Sequence, residues 1–147
     1  MKFLPRKFRE GQTDWFAKRG INWHISVTVY KENNVIKNIT HVYIFQSQVS
    51  QDAGTTAALM KNTVEDLGHL INIKEIHFFS DNAGCYKNTL MMSTLKHELG
   101  DKVRSYNFSE SQDGKGPCDR KASHIKAAIK RYLNEGHDVT TAEEMKK

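Results

Sequence analysis

Two carboxylates stand where local structure could hold them for metal chemistry. Asp81 follows Ile76-His77-Phe78-Phe79-Ser80, an apolar run that reads as a strand buried on both faces, and precedes the turn-forming Asn82-Ala83-Gly84. Asp119 lies in Gly114-Lys115-Gly116-Pro117-Cys118-Asp119-Arg120, where a glycine-rich turn opens a basic helix. A strand-end acid and a helix-start acid suit hard divalent cations, Mg²⁺ or Mn²⁺, which prefer carboxylate oxygen to Cys or His. Each acid also has a plainer reading. Asp-Asn ahead of Gly is ordinary turn chemistry, and an acid in a first helical turn is favoured by the helix dipole. Glu110 and Asp113, in the loop before the basic helix, are alternative late acids.

Charge is concentrated near these acids. The 147 residues carry a net charge of +5. Within residues 1–24 lie Lys2, Arg6, Lys7, Arg9, Lys18 and Arg19 against Glu10 and Asp14; within residues 115–133 lie Lys115, Arg120, Lys121, Lys126, Lys130 and Arg131 against Asp119 alone. Such clustering is the footprint expected of a phosphate-backbone contact, and a solvated helix face with a loose basic arm is the alternative. Trp15, Phe16 and Trp23 read as packing aromatics, with stacking on bases as the alternative.

The elements that must position these residues follow from periodicity and turn chemistry. Trp23 to Tyr30 alternates with Trp23, Ile25, Val27 and Val29 on one face, Asn33-Asn34 marks a hairpin turn, and Ile36 to Val49 forms the second arm, ending in a bend near Gln46 to Ser50. Residues 52–71 switch to helical spacing, with Asp52 or Thr55 as caps and Ala57/Ala58, Met60, Val64, Leu67 and Leu70/Ile71 as the apolar stripe. A strand from Glu75 to Ser80, a helix capped by Asn88 and stopped by Gly100, a strand from Val103 to Phe108, and a helix from Pro117 to about Glu135 complete the order. In that last helix Ala122, Ile125, Ala128/Ile129 and Leu133 face inward. The tail from Thr140 to Met145 has a helix-start signature but little length. A hairpin followed by alternating helix and strand predicts an α/β domain with a mixed sheet flanked by helices. The chain is of single-domain size, read as a basic N-terminal arm over residues 1–20 and one domain over residues 21–147.

No apolar run is long enough to span a membrane, and the basic, aromatic N-terminus is unlike a secretory signal, so an intracellular, reducing setting is expected. Cys85 and Cys118 then read as thiols rather than a disulfide. A zinc site using both with His77 lacks the local ligand spacing such sites use.

With these elements in order, the strand ending Phe79-Ser80-Asp81, the Tyr86-Lys87-Asn88 beyond it, and Gly114-Lys115-Gly116-Pro117-Cys118-Asp119 resemble the RNase H-like catalytic core of transposases and integrases, in particular transposon-derived proteins of animal genomes. The likeness runs from about Ile21 to Gly136. It implies an RNase H-like mixed sheet and two-metal phosphodiester cleavage or strand transfer on nucleic acid, DNA rather than RNA, in the nucleus. It also implies that Asp81 and Asp119 bind Mg²⁺ or Mn²⁺ and that Lys87, Lys115, Arg120, Lys126 and Lys130 contact the nucleic acid. The family's first strand carries a third acid, for which this chain offers only Glu10, Asp14 or a position upstream of Met1. An incomplete catalytic core is therefore expected, with a non-catalytic module that binds nucleic acid or protein as the alternative. A sheet lacking its first strand would leave an edge open and favour a homo-oligomer.

Overall fold

Asn33 and Asn34 both take positive φ, 48° and 64°, the left-handed pair that turns a tight hairpin with the twist of its strands. The structure, a computed structural model, describes residues 1–8, 20–46, 49–50, 52–109 and 116–146. It is mixed α/β and divides into two compact units, Met1–Val49 with Lys115–Lys147, and Ser50–Gly114.

In the first unit, β1 (Lys2–Phe3), β2 (Ile21–Glu32) and β3 (Val35–Ile44) form an antiparallel sheet in the order β1-β2-β3. Trp23 pairs with Ile44 at one end of the hairpin and Glu32 with Val35 at the other. The buried face of β2 (Ile21, Trp23, Ile25) packs with Ala122, Ile129 and Leu133 of a long helix, and with Val139 and Met145 from the C-terminal segment. The N-terminal segment, read as a basic arm, supplies β1, which pairs Lys2 with Asn22 and Phe3 with Ile21. It then forms an antiparallel bridge from Arg6 to Val139. The second hairpin arm ends at Ile44, earlier than expected, and Ser47 and Gln48 lie outside the described residues.

The second unit holds α1 (Ala53–Gly68), β4 (Ile76–Ser80), α2 (Thr89–Leu99) and β5 (Val103–Phe108). Strands β4 and β5 pair in parallel, with α2 in the connection that parallel pairing requires. Asp52 caps α1 by accepting from the Thr55 N–H at 2.8 Å, and Asn88 caps α2 by accepting from the Leu90 N–H at 2.9 Å. Gly100 ends α2 at φ 61°, where only glycine is unstrained. Ala57, Met91 and Leu95 form the core, with Phe78 and Tyr106 packed against it.

Two expectations about burial are corrected here. Phe79 is 69% exposed and Leu70 66% exposed, so β4 is not buried on both faces and the α1 stripe stops at Leu67. Thr56 and Thr63 take buried positions on α1 instead. Their hydroxyls donate to the Asp52 and Leu59 carbonyls at 2.9 Å, backbone acceptors one turn earlier that let a hydroxyl be buried on a helix.

The first unit is closed by α3 (Pro117–Asn134) and α4 (Ala142–Lys146). Pro117 occupies the first turn of α3 and Gly136 follows its end at φ 96°. Ala128, expected to face inward, is exposed. At α4 a reciprocal capping box operates, with Glu144 N–H donating to Thr141 Oγ1 at 3.2 Å and Thr141 N–H donating to Glu144 Oε2 at 3.1 Å.

His24 on β2 gives this unit a pH dependence. Burial, and next the N-terminal ammonium, hold its imidazole below the ordinary 6.5. Because the folded value lies below the unfolded one, the neutral ring stabilises the fold above about pH 6.5, and that contribution is lost as pH falls. Thermal melts between about pH 7.5 and pH 5.5 should show a falling Tm whose slope is shallower in His24→Gln. Equal slopes would contradict this account.

Candidate nucleic-acid interface

Asp81 sits immediately beyond the carboxyl end of β4, in a loop tied down by backbone bonds. Ser109 N–H donates to the Ser80 carbonyl and Asn82 Nδ2 to the Ser109 carbonyl, both at 2.8 Å, which holds the ends of β4 and β5 together. Asp81 Oδ1 accepts from the Ala83 N–H at 3.0 Å, so the turn-cap chemistry legible in Asp-Asn-Ala-Gly does operate. The side chain is exposed. Nearby, burial raises the Tyr106 hydroxyl above its ordinary pKa, with smaller contributions from Cys85 and Asp81. Lys87 reaches over the Phe108 ring, 6.0 Å from its centroid.

Asp119 lies on the first turn of α3 in the other unit. Gly116 is the cap residue, and a Cβ added there would stand 3.5 Å from Asp119 Oδ2. Past this acid, α3 presents Arg120, Lys126, Lys130 and Arg131 to solvent, with Lys121 half-buried. Arg120, His124, Ala127 and Arg131 recur at helical spacing on one exposed face, flanked by Lys126 and Lys130, while Ala122, Ile129 and Leu133 face the core. Among the described residues no ion pair neutralises Lys126, Lys130 or Arg131, and no acid follows Asp119 on this helix. The arrangement is an exposed cationic helix face, able to attract phosphates from a Debye length away.

Lys115, Glu110, Asp113, Glu10, Asp14, Trp15 and Phe16 lie outside the described residues. Trp23 is wholly buried, which makes it a core residue and not a stacking platform. Cys85 and Cys118 are half-buried, one in each unit, and are not disulfide-bonded. A hard divalent ion needs several convergent oxygens. Among the described residues no group of three or more His, Cys, Asp or Glu is placed to hold an ion, and one Asp81 oxygen is engaged with the backbone.

A basic cleft was not singled out from sequence. Arg6, Lys7 and Phe8 line one side of it and Lys130, Leu133 and Asn134 the other, around a volume of about 320 Å³. The only sequence signal was the charge count at each end of the chain; nothing local links Arg6 to Lys130. No helix among the described residues is long and apolar enough to cross a membrane.

A family model described as "Domain of unknown function (DUF8701)" matches residues 8–147. No curated protein and no solved structure matches the chain.

Proposed function

The chain belongs to the DUF8701 family, and we propose that it is a nucleic-acid-binding domain of RNase H-like, transposase- or integrase-derived architecture that holds DNA on its basic α3 face without cutting it. The observation that carries this reading is the exposed cationic surface of α3, which presents Arg120, Lys126, Lys130 and Arg131 to solvent and has no acid along the helix after Asp119. Concentrated cations lose self-repulsion and release condensed counterions when a phosphate backbone lies along them. What supports the RNase H-like reading is the element order alone, an antiparallel hairpin followed by alternating helix and strand and a late basic helix; the strands lie in two sheets, β1-β2-β3 and β4-β5, and not in the one mixed sheet expected from the sequence. Such a domain would act on DNA in the nucleus.

A second reading is cleavage with Mg²⁺ or Mn²⁺ at Asp81 and Asp119. One observation favours it: Asp81 is held at the carboxyl end of a parallel strand pair, where α/β proteins place their ligands. Against it, among the described residues no group of three or more His, Cys, Asp or Glu is placed to hold an ion.

Calorimetric Mn²⁺ titration, a nicking assay on supercoiled DNA and salt-dependent DNA binding separate the two when run on the wild type and on Asp81→Asn. DNA binding should weaken with salt, survive Asp81→Asn unchanged within about twofold, and bring no Mn²⁺-dependent nicking. Nicking abolished by Asp81→Asn would establish the cleavage reading, and absence of DNA binding even at low salt would remove the binding one.

A further inference from the structure

The cleft beside the C-terminal half of α3 combines charge with an aromatic ring. Its near wall is fixed by backbone pairing: Arg6 and Val139 exchange two N–H···O=C bonds of 2.8 Å, and the Phe8 N–H donates to Asp138 Oδ1 at 2.8 Å. These bonds set residues 6–8 against the segment that follows α3, and the Asp138 carboxylate is occupied in doing so. The opposite wall is Lys130, Leu133 and Asn134. Leu133 is 8% exposed and belongs to the core, so that wall is anchored to the unit's interior. Among the described residues the lining therefore holds three cations, one amide, two apolar side chains and no acid. Phe8 leaves 51% of its surface in solvent, so part of its side chain is open to a ligand in the cleft.

We propose that this cleft binds single-stranded nucleic acid, with Arg6, Lys7 and Lys130 on consecutive phosphates and the Phe8 ring stacked on an unpaired base. This rests on the reading of the α3 face as a nucleic-acid surface, of which Lys130 is the shared residue. A ring set among cations is the combination used for sequence-tolerant binding of single strands, because every base offers a π-face and every nucleotide a phosphate. In a duplex those faces are covered by neighbouring base pairs, so a lone phenyl ring finds no partner there. The site thus distinguishes strand state, which the charges on α3 cannot do alone.

The test is fluorescence anisotropy with a labelled oligothymidine strand and a labelled duplex of equal length, using the full chain and its Phe8→Ala, Phe8→Leu, Phe8→Trp and Lys7→Ala variants. Phe8→Ala and Phe8→Leu should each weaken oligothymidine binding about tenfold while leaving the duplex unchanged, and Phe8→Trp should retain it. Leucine keeps the apolar bulk, so its loss isolates stacking. Lys7→Ala, which leaves the backbone pairing of Arg6 in place, should lower the single-strand salt slope by about 0.7. Melting curves matching the wild type show that the fold is intact, and if Phe8→Ala melts early the leucine and lysine variants decide. Binding of both probes unaffected by every Phe8 variant overturns the single-strand site and leaves the α3 reading standing; equal losses on strand and duplex overturn it too. Failure of the wild type to bind either probe at low salt overturns both.

Discussion

Trp23→Ala is expected to destabilise the first unit by about 3–5 kcal/mol, the cost of emptying a large aromatic site in a core. Trp23 has no exposed surface and stands among Ile21, Ile25, Ala122, Ile129, Leu133, Val139 and Met145. Its position on β2, paired with Ile44, leaves the backbone no freedom to close over the void. Against a typical total stability of about 5–15 kcal/mol, the loss takes a large share of the margin. Among the described residues its Nε1–H has no acceptor, and an orphaned buried donor costs about 1–3 kcal/mol. Trp23→Phe, which removes the donor and keeps a ring, should therefore cost much less than Trp23→Ala. Urea titrations of the three proteins by circular dichroism check both statements. A loss under about 1 kcal/mol for alanine would mean that this ring does not organise the core.

The largest functional effect should come from Lys126→Ala, Lys130→Ala and Arg131→Ala combined. Each phosphate contact contributes about 0.9 to the slope of log K against log salt on duplex DNA. Removing three charges then predicts a slope lower by two to three units and affinity down on the order of a hundredfold near 0.1 M salt. All three side chains are exposed on α3, and alanine is the best helix former, so the helix should persist. Salt-titrated anisotropy on the wild type and the triple variant measures the slope directly. An unchanged slope would mean that these cations are only a solvated helix face.

Much of the secondary structure was legible because its causes are local. Asn33-Asn34, Asp52, Asn88, Gly100, Pro117 and Gly136 each act through backbone dihedrals or a cap bond within a few residues. The strand Val103–Phe108 and the helix from Pro117 lie where alternation and helical spacing place them. Burial was read less well. Phe79 and Leu70 are exposed, and Thr56 and Thr63 are buried, which hydrophobicity alone misses because it ignores a hydroxyl bonded to its own helix.

The order of elements from β2 to α3, the hairpin turn, the caps, the basic composition of α3 and the strand-end place of Asp81 were all legible in the sequence, since each depends on neighbours along the chain. Only the tertiary structure decided that Lys2–Phe3 pairs with β2, that Arg6 bridges to Val139 and that Phe8 bonds to Asp138, 130 residues away. Those pairings depend on which distant backbone groups remain to be satisfied once the local elements have formed. The cleft holding Arg6, Lys7, Phe8 and Lys130 is built from them, so no reading of nearby residues could have assembled it.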